Sequence, residues 1–104
     1  MNIEILHIED CPSREAAIAR THEALGLLGH PNSSVTARVL RTPEEAASTA
    51  FAGSPTITIA GADLFPSDGR TDDLACRVYA TSEGPKGTPT TEQMVEALRP
   101  LSNS

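Results

Sequence analysis

The sequence predicts a single α/β domain over residues 1–104, with a four-stranded mixed sheet and helices on both faces. Apolar residues switch between strand-type and helix-type spacing in the order β-α-β-α-β-β-α. Two Thr-x-x-Glu/Gln capping boxes mark helix starts at Thr42 and Thr90. The length of 104 residues is that of one ordinary domain.

The first half of the chain reads as strand, helix, strand. Residues 2–8 are an Ile-rich strand, and a helix begins at Ser13 with Pro12 in its first turn. One face of that helix is apolar and comprises Ala17, Ile18, Thr21, Leu25 and Leu28. Residues 34–41 alternate as a second strand, which a right-handed crossover makes parallel to the first.

The second half reads as helix, two strands and helix. Thr42, Pro43 and Glu45 begin a short helix that ends near residue 52. Strands are expected at 56–60 and 74–80, paired antiparallel. The connections between these elements are expected to be a turn at 61–63, a polar loop at 66–73 and a loop at 84–89. The last helix follows Thr90 and directs Met94, Val95, Leu98 and Leu101 to the core.

Composition excludes several function classes. Eight basic residues stand against 14 acidic ones, for a net charge of −6, and the arginines are scattered. Nucleic-acid binding and a polybasic membrane patch are therefore not expected. No apolar run is long enough to span a bilayer, and two cysteines are too few for a disulfide framework. We expect a soluble, cytoplasmic protein without a cofactor.

Cys11 is the strongest candidate for chemistry. It stands at the expected start of a helix, where the helix dipole and free N–H groups favour a thiolate. Arg14 adds to that effect, whereas Glu9 and Asp10 oppose it. The alternative is a cysteine that is merely buried behind Pro12. For Cys76 the alternative is stronger, because a cysteine in a strand is usually part of the core.

The chain resembles the thioredoxin superfamily. Cys11-Pro12 lies between the first strand and helix, Ser54-Pro55 precedes the third strand, and the element order matches. The resemblance implies a cis Ser54-Pro55 bond beside a reactive Cys11, and a Ser54 backbone that pairs with an extended thiol-bearing peptide or small substrate. It marks Pro12, Arg14, Ser54 and Pro55 as substrate contacts. Arg14 stands where the family's CxxC motif has its second cysteine, which excludes a local dithiol cycle.

A second resemblance is to small bacterial thioredoxin-like proteins related to the core of organomercurial (alkylmercury) lyase. It rests on residues 51–57 and 74–79. Cys11 and Cys76 match the lyase's two catalytic cysteines, which implies that the two thiols face each other. The lyase has a proton-delivering carboxylate three residues after its first cysteine, and Arg14 occupies that position.

Three functions follow as hypotheses. The favoured one is thiol–disulfide exchange, in which Cys11 attacks a disulfide-bearing protein or small molecule and Cys76 resolves the product. The second is binding of mercury or another soft metal ion by the same thiols, which His7 could join. For cleavage of an organomercurial, Asp10 is the only acid next to Cys11 that could deliver a proton to carbon. The third is a binding module without catalysis.

Overall fold

The computed structural model describes residues 2–66 and 74–102. The elements of this part of the chain are β1 (Asn2–His7), α1 (Arg14–Leu27), β2 (Ser34–Val39), α2 (Pro43–Ala47), β3 (Thr56–Ile59), β4 (Ala62–Asp63), β5 (Tyr79–Thr81), β6 (Gly84–Lys86) and α3 (Thr91–Ser102). The predicted loop at 66–73, apart from Pro66, lies outside the described residues.

The predicted four-stranded mixed sheet is confirmed, with the strand order β2-β1-β3-β4. β1 and β2 are parallel, and His7 is in register with Val39 at their carboxyl ends. β3 runs antiparallel to β1, with Ile5 opposite Ile57. The carboxyl ends of the two parallel strands therefore meet beside the start of α1.

Helices cover both faces of this sheet because the central strand β1 has buried apolar side chains on both sides. Ile3 and Ile5 point to one face, where they form a cluster with residues of α1 and α3. Leu6 points to the other face and packs with Leu40, Phe51 and Ala46 of α2. Burial on both sides fixes the direction of each side chain at the end of β1.

The two predicted capping boxes begin α2 and α3. The Thr42 and Thr90 hydroxyls each accept the N–H three residues later at 3.1 Å. α1 closes with a Schellman motif, in which the His30 N–H donates to the Leu25 carbonyl and Gly29 adopts a φ of 84°. These caps satisfy helix-end groups that would otherwise lack partners.

The fourth strand of the sheet is not where the sequence predicts it. The prediction placed this strand at 74–80 and a turn at 61–63, but β4 is Ala62–Asp63. Ala60 and Gly61 both have positive φ, 52° and 81°, as in a two-residue type I′ hairpin turn. The chain therefore folds back at once and fills the edge beside β3.

The segment at 74–80 is mostly irregular. Cys76 forms one isolated parallel bridge with Ser54, and β5 pairs antiparallel with β6 in a separate hairpin. The predicted loop at 84–89 is thus wrong over its first three residues. Proline is tolerated at position 85 of β6 because each strand of a two-stranded hairpin has one unpaired edge, where no N–H is needed for a hydrogen bond.

Smaller differences concern the helices. Ser13 is the N-cap of α1, so Pro12 lies before the helix and not in its first turn. α2 ends at Ala47, short of the predicted residue 52, and Leu101 is 42% exposed instead of facing the core. Among the helices of the described residues, none combines the length and the apolar character that a membrane crossing requires.

Candidate functional site

Cys11 lies in the tight connection between β1 and α1. Asp10 adopts a left-handed φ of 56°, which turns the chain away from the sheet directly before the cysteine. The Cys11 carbonyl accepts the Arg14 N–H at 3.4 Å, a turn that leads into the helix. The cysteine is half-buried and forms no disulfide. The structure thus places a free, partly accessible thiol beside the first turn of α1, as the sequence predicts.

The start of α1 has no side-chain cap. Ser13 occupies the N-cap position, yet its hydroxyl accepts no hydrogen bond from the first turn. Gly87 approaches this hydroxyl so closely that a Cβ on Gly87 would lie 2.2 Å from the Ser13 Oγ. The loop after β6 therefore packs directly on the N-cap. The positive end of the helix dipole remains without a compensating acceptor from Ser13.

Cys11 opens into a surface groove of about 510 Å³, called the Cys11 groove below. It is lined by His7, Ile8, Glu9, Asp10, Cys11, Arg14, Ala37, Val39 and Arg41. In open α/β sheets, ligands bind outside the carboxyl ends of the strands, which is where this groove lies. The Arg41 side chain donates to the Glu9 carboxylate at 2.7 Å, whereas Arg14 is 3.7 Å from Glu15. Arg14 is thus the less tightly paired of the two cations.

Cys76 lies on the irregular segment before β5 and is exposed with a free thiol. The core interpretation of this cysteine is therefore wrong. Burial alternates along the segment, so that Arg77 and Tyr79 are buried while Cys76 and Val78 face solvent. The backbone of the segment is bonded to Ser54, and the exposed Cys76 thiol is available for reaction.

Ser54 connects the Cys11 and Cys76 regions. Its N–H donates to the Ala75 carbonyl at 2.8 Å, its carbonyl accepts the Arg77 N–H at 2.9 Å, and its hydroxyl accepts the Ile8 N–H at 3.0 Å. The Ser54-Pro55 bond is cis, as expected from the resemblance. In the structure, the chain's own segment occupies the place expected for an extended substrate peptide.

Arg77 is the residue that sequence reasoning missed. It is 9% exposed, donates to the Asp63 carboxylate at 2.8 Å and to the Phe65 carbonyl, and lies 4.5 Å from the centre of the Tyr79 ring. The close approach of Arg77 requires a glycine at position 53, because a Cβ on Gly53 would lie 2.7 Å from the Arg77 Cβ. The only sequence signal is the Arg-Val-Tyr alternation, which does not reveal the distant carboxylate.

Tyr79 joins this cluster to the Ser54-Pro55 bond. Its hydroxyl donates to the Pro55 carbonyl, and Phe65 packs edge-on at 5.7 Å. Burial raises the pKa of the Tyr79 phenol, with smaller opposing and reinforcing effects from Arg77, Asp63 and Cys11.

His7 is buried at the end of β1, with its Nδ1 2.9 Å from the Ile8 carbonyl. The metal hypothesis rests on Cys11 and Cys76, which His7 could join as a third ligand. Within residues 2–66 and 74–102, no three His, Cys, Asp or Glu side chains are grouped to hold a metal ion. The structure therefore does not form that three-ligand site.

Comparisons with known proteins give no relative for this chain. No family model, no curated protein and no solved structure matches it.

Proposed function

We propose that the protein is a thioredoxin-like thiol protein that performs thiol–disulfide exchange, with Cys11 as the nucleophile. The observation that carries the proposal is the half-exposed Cys11 thiol in a groove at the carboxyl ends of β1 and β2. A reactive cysteine needs access for its partner and a positive surrounding for its thiolate. The groove gives access, and the uncapped start of α1 together with Arg14 gives the positive surrounding.

Cys76 acts as the resolving thiol in this proposal, because it is exposed and its segment is bonded to Ser54. The Cys11 thiolate attacks one sulfur of a substrate disulfide and releases the other half as a thiolate, which takes up a proton. The Cys76 thiolate then attacks the Cys11 sulfur and releases the second substrate thiol. The substrate is reduced, a Cys11–Cys76 disulfide forms, and an external dithiol reduces it again.

Pro12 and Arg14 remain proposed substrate contacts, since both are exposed next to the thiol. Ser54 and Pro55 are buried, and the backbone of Ser54 is already paired with residues 75–77. A peptide that uses Ser54 must therefore displace the segment that bears Cys76. This competition supports a substrate that first meets Cys11 in the groove.

Trapping with paired cysteine variants tests the proposal. Wild type, Cys11→Ser and Cys76→Ser are mixed with hydroxyethyl disulfide, and the products are identified by intact mass. We expect wild type to end as an internal disulfide, Cys76→Ser to keep a mixed disulfide, and Cys11→Ser to react slowly. Folded Cys11 should react at least about tenfold faster than the same thiol in urea, because only in the folded chain do Arg14 and the start of α1 lie beside the attacking sulfur.

A Cys11 that reacts no faster in the folded chain than in urea would contradict the proposal. If that slow thiol and Cys76 together hold one Hg(II) per chain, soft-metal binding becomes the better function. Loss of the one-to-one mercury adduct in Cys76→Ser would show that both sulfurs bind the ion.

A further inference from the structure

We infer that His7 exchanges the proton of the Cys11 reaction, an inference that rests on the proposed function. His7 is 6% exposed and lines the Cys11 groove together with the cysteine. The ring is held in place at the end of β1, where the strand is buried on both sides. A buried imidazole and a nucleophilic thiol thus share one cavity.

The hydrogen bond of Nδ1 determines which ring nitrogen can act. A backbone carbonyl only accepts, so the Nδ1 that lies 2.9 Å from the Ile8 carbonyl carries hydrogen. In the neutral ring this leaves the lone pair on Nε2. Nε2 has no hydrogen-bond partner in the part of the chain that the structure describes. His7 lines the Cys11 groove, so the imidazole lies beside the cavity into which the Cys11 thiol opens.

The charged groups around the ring do not replace it as a proton carrier. Glu9, Asp10 and Cys11 line the groove from the connection after β1, Arg14 from α1, and Arg41 from the segment after β2. β2 itself contributes only apolar side chains to the lining. Carboxylate and guanidinium side chains ordinarily keep one charge state near neutral pH, whereas imidazole gains and loses a proton there.

In this reaction His7 first accepts a proton and later donates it. The His7 Nε2 takes the proton from the Cys11 Sγ, directly or through one water, and leaves a thiolate beside an imidazolium. The thiolate attacks the disulfide, a Cys11–substrate S–S bond forms, and the original S–S bond breaks. The imidazolium then returns the proton to the departing thiolate, so that His7 ends neutral.

Replacement of the imidazole by a neutral amide tests this role. His7→Gln and the control His22→Gln, an exposed histidine of α1, are compared in a Cys76→Ser background. Two uncharged disulfides are used: hydroxyethyl disulfide, whose leaving thiol needs a proton, and dithiodipyridine, whose leaving group does not. We expect His7→Gln to slow the first reaction by about tenfold or more and the second by clearly less, while His22→Gln changes neither. The wild-type pH profile with hydroxyethyl disulfide should be bell-shaped, and that of His7→Gln should rise steadily.

A folded His7→Gln with wild-type pH profile and the wild-type ratio between the two reagents would overturn the inference. In that case Cys11 still reacts faster than in urea, so the proposed function survives. A wild-type Cys11 with no such advantage defeats the proposed function itself. If His7→Gln does not fold, NMR titration of the His7 ring in wild type and Cys11→Ser decides: removal of the thiol should move the titration midpoint, and an unchanged midpoint overturns the inference.

Discussion

The two cysteines are held in place by different kinds of interaction. The Cys11 connection lies between β1 and α1, whose inner faces belong to one apolar cluster. The Cys76 segment is held by backbone bonds to Ser54 and by the polar contacts of Arg77. Apolar packing is insensitive to direction and pH, whereas hydrogen bonds and ion pairs depend on both. The comparison therefore predicts a firm Cys11 region and a Cys76 region that responds to its surroundings.

The largest effect is expected in the apolar region. Ile5 is 0% exposed in the middle of the sheet, and Ile5→Ala should lower the free energy of unfolding by about 4 kcal/mol through lost burial and an unfilled cavity. Val78→Ala is the control, because Val78 is 69% exposed beside Cys76. The control should change stability by less than about 0.5 kcal/mol. Urea unfolding measures both, and equal losses would contradict the assignment of the core to β1.

The next effect falls on the polar region. Arg77→Met keeps the aliphatic stem and leaves Asp63, whose side chain is 13% exposed, without its guanidinium. Breaking a buried ion pair from one side costs about 3 kcal/mol. We also expect the Ser54 amide to exchange hydrogen faster while amides of β1 change less, because the segment that pairs with Ser54 loses its anchor.

Arg38→Met, at an exposed position of β2, is the control for this variant. Its free energy of unfolding and the hydrogen exchange rate of its Ser54 amide should both stay near the wild-type values. Uniform loss of protection across β1 and Ser54 in Arg77→Met would show that the two regions unfold together, and the comparison would fail.

The same difference explains what the sequence could predict. The β1–α1–β2 unit has regular periodicity and short-range signals, so its elements and the position of Cys11 follow from local patterns. β4 depends on a turn in which Ala60 has a φ of 52°. Alanine rarely adopts this conformation, so the sequence does not predict the turn. The Cys76 segment depends on one bridge and on an ion pair between residues 63 and 77, neither of which leaves a local pattern. The cis form of Ser54-Pro55 followed from the family resemblance, and not from periodicity.

The smallest expected effect is a dependence of stability on alkaline pH that belongs to the polar region alone. Burial raises the pKa of the Tyr79 phenol, so the folded chain keeps this proton while the unfolded chain loses it above about pH 10. Because the unfolded state then binds fewer protons, stability falls as pH rises, by up to about 1.4 kcal/mol per pH unit. Tyr79→Phe should lack this pH dependence. At neutral pH its free energy of unfolding should be lower by about 1 kcal/mol, because the hydrogen bond to the Pro55 carbonyl is lost.

The chain has one tyrosine and no tryptophan, so phenolate absorbance reports Tyr79 without overlap. In the folded protein the absorbance should rise at a pH above that seen in urea. Urea unfolding of wild type and Tyr79→Phe between pH 9 and 11 then gives, for each protein, the slope of the free energy of unfolding against pH. The difference between the two slopes belongs to Tyr79, because the titration of all other groups cancels to first order. Equal slopes, or a phenol that ionises at the same pH with and without urea, would mean that the hydroxyl is open to solvent. The Cys76 segment would then lack the buried polar anchor that sets it apart from the region of Cys11.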